Sequence, residues 1–142
     1  MLANCGLAVF QHGRQLDGIR ILMRAFEAGN AAAGFNLGTN YWRNGQDGRE
    51  GQALAFWRRG AAMGDVDAMV GVVGLALRGG DHASAEAWIE PVLAQDEPFA
   101  IMALALEFRD VGDWGTAMRA MRRAAALGHQ PAVEYLARLH GE

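Results

Sequence analysis

Glycine recurs every sixteen residues along this chain, and that ladder restricts the fold more than any other feature. Gly13, Gly29 and Gly45 are its first rungs; after a three-residue shift it resumes at Gly48 and runs through Gly64 and Gly80. Asp96 holds the next place, and Gly112 and Gly128 follow. Between the rungs apolar residues recur at intervals of three and four, the spacing of a helix with one buried face. Sixteen residues make one helix of about three turns and a tight turn. A glycine at the end of each unit supplies the left-handed backbone that closes a helix C-terminus. The pattern predicts an all-α chain of about nine short helices that alternate in direction.

Odd and even units differ, so the true repeat is 32 residues long. In one class, Ala33, Ala68, Ala100 and Ala132 stand four residues past the rung, Leu37, Val72, Leu104 and Leu136 eight past, and Tyr41, Ala76, Phe108 and His140 twelve past. In the other class Gly18, Ala53, Ala85 and Ala117 align, and Ile21, Phe56 and Trp88 follow three later, with Ala120 breaking the series. Alternation of small and large residues lets two helices approach closely and interdigitate. Asp65, Asp81, Asp96 and Asp113 are placed to accept first-turn N–H groups. Pro98 and Pro131 fall in first turns, where a missing N–H costs nothing. Pro91 falls inside the unit 81–95, where it must kink or shorten the helix. One domain is expected over 1–142, with helix pairs at about 1–29, 30–64, 65–96 and 97–128 and an end-capping helix at 129–142.

Composition removes several classes of function. The chain has 142 residues, is 51% hydrophobic and 20% charged, and carries a net charge of −3. That balance argues against disorder and against a basic surface for nucleic acid. No run of about 18 apolar residues is present, so no membrane span is expected. Cys5 is the lone cysteine, which excludes an intrachain disulfide and fits a reducing compartment. Met1–Cys5 looks like a lipoprotein cleavage box but lacks the basic and apolar regions that precede one, so a cytoplasmic location is expected.

The search for reactive groups yields no catalytic, cofactor or metal site. His12, His82, His129 and His140 fit no zinc spacing and read as exposed turn residues. Asp65 with Asp67, and Glu107 with Asp110, read as caps and solvated carboxylates. Lysine is absent, so no phosphate loop of the Gly-Lys type exists. Thr39, Ser84 and Thr116 are the only hydroxyl residues of their kind, and Ser84 lies in an alanine-rich helix. The arginines at 58, 59, 119, 122 and 123 belong to second helices and read as solvated charge.

The stretch Ala31–Gly64 resembles a Sel1-like repeat of the tetratricopeptide-repeat superfamily. Ala33, Leu37-Gly38, Tyr41, Gly45, Gly48, Ala53, Trp57, Ala61-Ala62 and Gly64 carry the resemblance, and Ala117, Ala124-Ala125 and Gly128 look like a further second helix. The 32-residue spacing sits nearer the tetratricopeptide length. The resemblance implies a right-handed α-solenoid, a role in protein–protein contacts as adaptor or scaffold, and no catalysis. It also implies that first helices line a groove for a peptide or helix of a partner. Projected on the template, that groove takes Phe35, Thr39, Trp42 and Arg43; then Val70, Gly74, Leu77 and Arg78; then Phe99, Met102, Leu106 and Arg109; and finally Arg138. Aromatic and arginine residues of this kind dominate binding hot spots. The clamp some relatives use for peptide C-termini needs Lys and Asn where this chain has Phe35 and Thr39. An inhibitor or immunity-type protein that occludes one enzyme would use the same surface, whereas a small hydrolase or metal protein would need the constellations absent above.

Overall fold

The computed structural model describes residues 15–43 and 49–141, with side chains described over 18–42 and 51–141. All secondary structure among these residues is helical. The helices are α1 (Gln15–Glu27), α2 (Ala31–Arg43), α3 (Arg49–Ala62), α4 (Val66–Arg78), α5 (His82–Glu86), α6 (Ile89–Leu93), α7 (Pro98–Asp110), α8 (Trp114–Ala126) and α9 (Gln130–Leu139). The expected N-terminal helix, with Cys5 and His12, and the glycine-rich insertion at 44–48 lie outside the described residues.

The ladder does what its spacing requires. Gly29, Gly64, Gly80, Gly112 and Gly128 all have positive φ, between 78° and 98°. At each, the glycine N–H and the following N–H turn back onto carbonyls of the last helical turn, as in Gly64 to Ala61 and Asp65 to Gly60. This double closure satisfies carbonyls that a helix end leaves open. Asp96 takes the glycine's place with φ 54°, a conformation aspartate tolerates better than most residues. That role displaces its expected one. Asp96 does not cap α7, whose N-cap is Glu97 without a side-chain hydrogen bond, and its carboxylate instead accepts from Arg123. The other three aspartates cap as their positions predict: Asp65 accepts from the Ala68 N–H at 2.9 Å, Asp81 from Ser84 at 3.2 Å and Asp113 from Thr116 at 3.1 Å.

Pro91 splits its unit into α5 and α6. In an unbroken helix its ring would meet the Ala87 carbonyl, and that carbonyl would lose its donor. The chain breaks at Ala87-Trp88 instead, which places Pro91 third in α6, where an N–H has no helical partner anyway.

Two compact units make up the chain, Met1–Val72 and Val73–Glu142. In the first, α1 packs on α2 and α2 on α3. Leu22, Ala25, Phe26, Ala33 and Leu37 form the core, with Ile19, Met23 and Phe56 against it. The interior depends on glycine in mid-helix. A Cβ on Gly34 would come within 2.7 Å of the Phe26 ring. Cβ atoms on Gly38 and Gly71 would come within 2.3 Å and 2.7 Å of Trp57. The Trp57 indole therefore occupies space that two glycines on different helices leave open, and its Nε1 donates to the Phe35 carbonyl at 3.0 Å. Tyr41 stacks on Phe56 with ring centres 5.4 Å apart.

In the second unit α6 packs on α7, α7 on α8 and α8 on α9. Ile101, Leu104, Ala105, Phe108, Ala117, Ala120, Met121 and Ala124 are buried where α7 meets α8. Ion pairs from Arg119 to Glu90 and from Arg123 to Asp96 join α8 to α6 and to the turn after it. An end-capping helix is expected to bury Val133, Leu136 and Leu139, and the end helix departs from that. Ala132 is buried, but Val133 is 41% exposed where Ile101, at the same place in its repeat, is 0% exposed. Leu136 is half-buried and Leu139 exposed rather than buried, because among the described residues no second helix follows α9 to cover that side.

Candidate functional site

First helices carry the residues projected onto the binding face, and the structure sorts those residues into three environments. Leu77 and Met102 are buried. They fill core space, and this corrects the expectation that they line an open surface. Phe35, Thr39, Trp42, Val70, Leu106 and Arg109 are half-buried. Arg78, Phe99 and Arg138 are exposed. The Arg43 side chain lies outside the described residues.

In the first unit, Phe35 and Trp42 converge on Trp57 from one helix, with ring centres 6.4 Å from the indole in each case. They form an aromatic cluster whose middle ring is buried and whose outer rings are partly open. Arg59, on the second helix of the pair, lies over the Phe26 ring at 4.4 Å, so one of the arginines read as solvated charge also covers an aromatic face.

In the second unit the surface runs along α7 and α9. Phe99, in the first turn of α7, is 77% exposed, the highest value among the large apolar residues described. Its ring meets His129 edge-on at 4.7 Å. His129 is buried, contrary to its reading as an exposed turn residue, because the N-terminus of α9 is set against α7 and Phe99 covers the imidazole. Ten residues further, about 15 Å along the helix axis, Arg109 reaches across to α9. Its Nη1 donates to the Tyr135 hydroxyl at 3.3 Å, and its other nitrogens bond Asp110 at 3.0 and 3.2 Å. Arg138 lies over the same Tyr135 ring at 5.9 Å. Tyr135 had no signal in the repeat columns: its counterparts are Asn36, Gly71 and Ala103.

Glu107 adds an acid to this unit. Its carboxylate lies 3.0 Å from where a Gly74 Cβ would stand, so the absence of a side chain at Gly74 makes room for it. Burial raises its pKa above the ordinary glutamate value, Arg78 opposes the rise, and Asp110 adds to it. Asp65, in the first unit, is raised mainly by burial as well, against the Ala68 N–H that it caps.

Among the described residues no group of three or more His, Cys, Asp or Glu is gathered to hold a metal. Nor is any described helix long and apolar enough to cross a membrane.

The helix-pair geometry has a solved counterpart. A crystal structure of a Sel1 repeat protein from Oxalobacter formigenes superposes on 92% of this chain with a TM-score of 0.64 and 20% sequence identity. The fold is that of a Sel1-repeat protein. This chain spans 56% of the length of that one. No protein-family model and no curated protein matches the sequence. α2 packs on α3 and α7 on α8 as helix pairs, with Phe99, Leu106 and Arg109 on α7 and Tyr135 and Arg138 on α9.

Proposed function

We propose that this chain is a non-enzymatic protein-interaction module that binds a peptide or helix of a partner through first-helix surfaces. One observation carries the reading. Phe99 is an aromatic side chain left 77% exposed on the α7–α9 surface that carries Arg109 and Arg138 about three helical turns further along. An exposed aromatic side chain on a surface that also carries arginines is a poor arrangement for water and a good one for a partner. A fitting segment has apolar anchors for Phe99 and Leu106, with acidic residues spaced between them. The apolar contacts supply most of the affinity. The arginines set register and speed encounter, since exposed ion pairs contribute only about 0–1 kcal/mol each.

The test is affinity capture from native lysate with the wild-type chain, Phe99→Ser and Trp114→Ser. Phe99 and Trp114 are both exposed, so neither change removes core packing, and thermal melting checks that uncovering His129 in Phe99→Ser leaves the fold intact. The partner retained by wild type should be lost with Phe99→Ser and kept with Trp114→Ser. Retention by Phe99→Ser, or loss with Trp114→Ser alone, overturns the assignment.

A further inference from the structure

Tyr135 sits half-buried in α9 with two guanidinium groups converging on it. The two differ in their partners. Arg109 is committed: it bonds the Tyr135 oxygen and pairs with Asp110 at 3.0 Å. Arg138 has no carboxylate within ion-pair distance among the described residues, and its contact is the face of the Tyr135 ring at 5.9 Å. Because the Tyr135 oxygen accepts from Arg109, its own O–H is left to donate outward. Arg109 and Arg138 against Asp110, with the nearby Glu107 opposed by Arg78, leave one positive charge uncompensated, beside a hydroxyl donor and a planar guanidinium.

We propose that Tyr135 and Arg138 bind one side-chain carboxylate, from an aspartate or glutamate of the partner segment. Arg109 is a positioning residue that holds the tyrosine oxygen. The inference rests on the reading of this face as partner-binding. Charge selects the ligand: one carboxylate neutralises the surplus, whereas a phosphate dianion would leave negative charge next to Asp110. Geometry agrees, because a guanidinium presents parallel N–H donors that match the two oxygens of a carboxylate. The tyrosine ring beneath Arg138 narrows the range of that long side chain before the ligand arrives.

Three capped peptides test the assignment: acetyl-Leu-Glu-Ala-Leu-amide, its glutamine counterpart and its phosphoserine counterpart. Their ends are uncharged, so only the second side chain distinguishes them. Binding is followed by NMR through the arginine Nε–H and backbone amide resonances. The glutamate peptide should shift the Arg138 Nε–H and bind about fivefold more tightly than the glutamine peptide, the scale of one exposed charge-assisted contact. That preference should fall to about twofold or less in Arg138→Gln and in Tyr135→Phe. It should persist in Arg122→Gln, which removes an exposed arginine from α8. Equal binding of the glutamate and glutamine peptides overturns the carboxylate site, as does tighter binding of the phosphoserine peptide, an equal loss in Arg122→Gln, or silence at Arg138. Shifts around Phe99 with either peptide separate the two claims: they keep the partner-binding face while the carboxylate assignment falls.

Discussion

The helix pairs α2–α3 and α7–α8 share one sequence register but fill their interiors differently. Around α2–α3 the contact is concentrated: Trp57 of α3 enters space left by Gly38 of α2 and Gly71 of α4, and Phe26 of α1 enters space left by Gly34 of α2. In α7–α8 it is spread over Ala105, Ala117, Ala120, Ala124, Leu104 and Met121, with no glycine inside α7 and only Gly115, near the start, inside α8. A large residue against glycine and medium residues against alanine can occupy similar volume. They differ in how sensitive each position is. The first solution puts much of the packing on two aromatic side chains and forbids growth at three glycines; the second distributes both risks.

Truncation should expose that difference most. Trp57→Ala should cost about 3–5 kcal/mol, through lost burial, a large void and the lost hydrogen bond to the Phe35 carbonyl. Met121→Ala, at the equivalent place in α8, should cost about 2–5 kcal/mol, at the lower end if distributed packing lets neighbours relax. Urea denaturation of both variants measures the contrast, and a Trp57→Ala cost below that of Met121→Ala would break it.

Growth comes next in size. Gly38→Ala should destabilise by about 1–3 kcal/mol, because the new methyl meets the rigid indole and not a flexible chain end. In a Trp57→Leu background the same change should cost little or nothing, a coupling that a double-mutant cycle reads directly. An additive result would mean that Gly38 matters for some reason other than Trp57.

The smallest expected effect is on pH dependence, and it tests whether the two units also differ in polar burial. Glu107 and Asp65 are both raised by burial, so the folded chain holds protons more tightly there than the unfolded chain does. Stability linked to these groups is therefore highest when they are protonated and falls as pH rises from the ordinary carboxylate range through the raised values. Glu107→Gln and Asp65→Asn should each flatten that fall in chemical-denaturation curves measured across the acid range. An unchanged slope in either variant would show that its carboxylate titrates as an ordinary one.

Much of the architecture is legible in the sequence because it rests on backbone conformation and on small residues. The ladder glycines among the described residues take positive φ, and the alanines at 33, 68, 100 and 132 are buried, whatever packs beside them. The surface is less legible, because it depends on which helix passes where. Trp57 stands out as a motif residue, yet its role emerges only when glycines from α2 and α4 come to either side of it. Leu77 and Met102 occupy columns whose neighbours in other repeats are partly open, so a column average places them wrongly. Tyr135 escapes for the opposite reason: nothing at its place in earlier repeats is aromatic. Asp96 resembles a helix start in sequence because aspartate suits both a cap and a left-handed turn, and only the backbone tells which it serves.

The interruption at Ala87-Trp88 has a kinetic side. Two five-residue helices stand where the other repeats have one helix of 13 or 14 residues, and pieces of five are far too short to persist by themselves. They are kept in place by Ala85 and Val92 in the core and by the ties from Glu90 and Asp96 to α8. Amide hydrogens across this segment should consequently exchange with solvent through small local openings, while those of α7 and α8 wait for a larger one. One proline would thus set a boundary between fast and slow exchange where one repeat passes into the next.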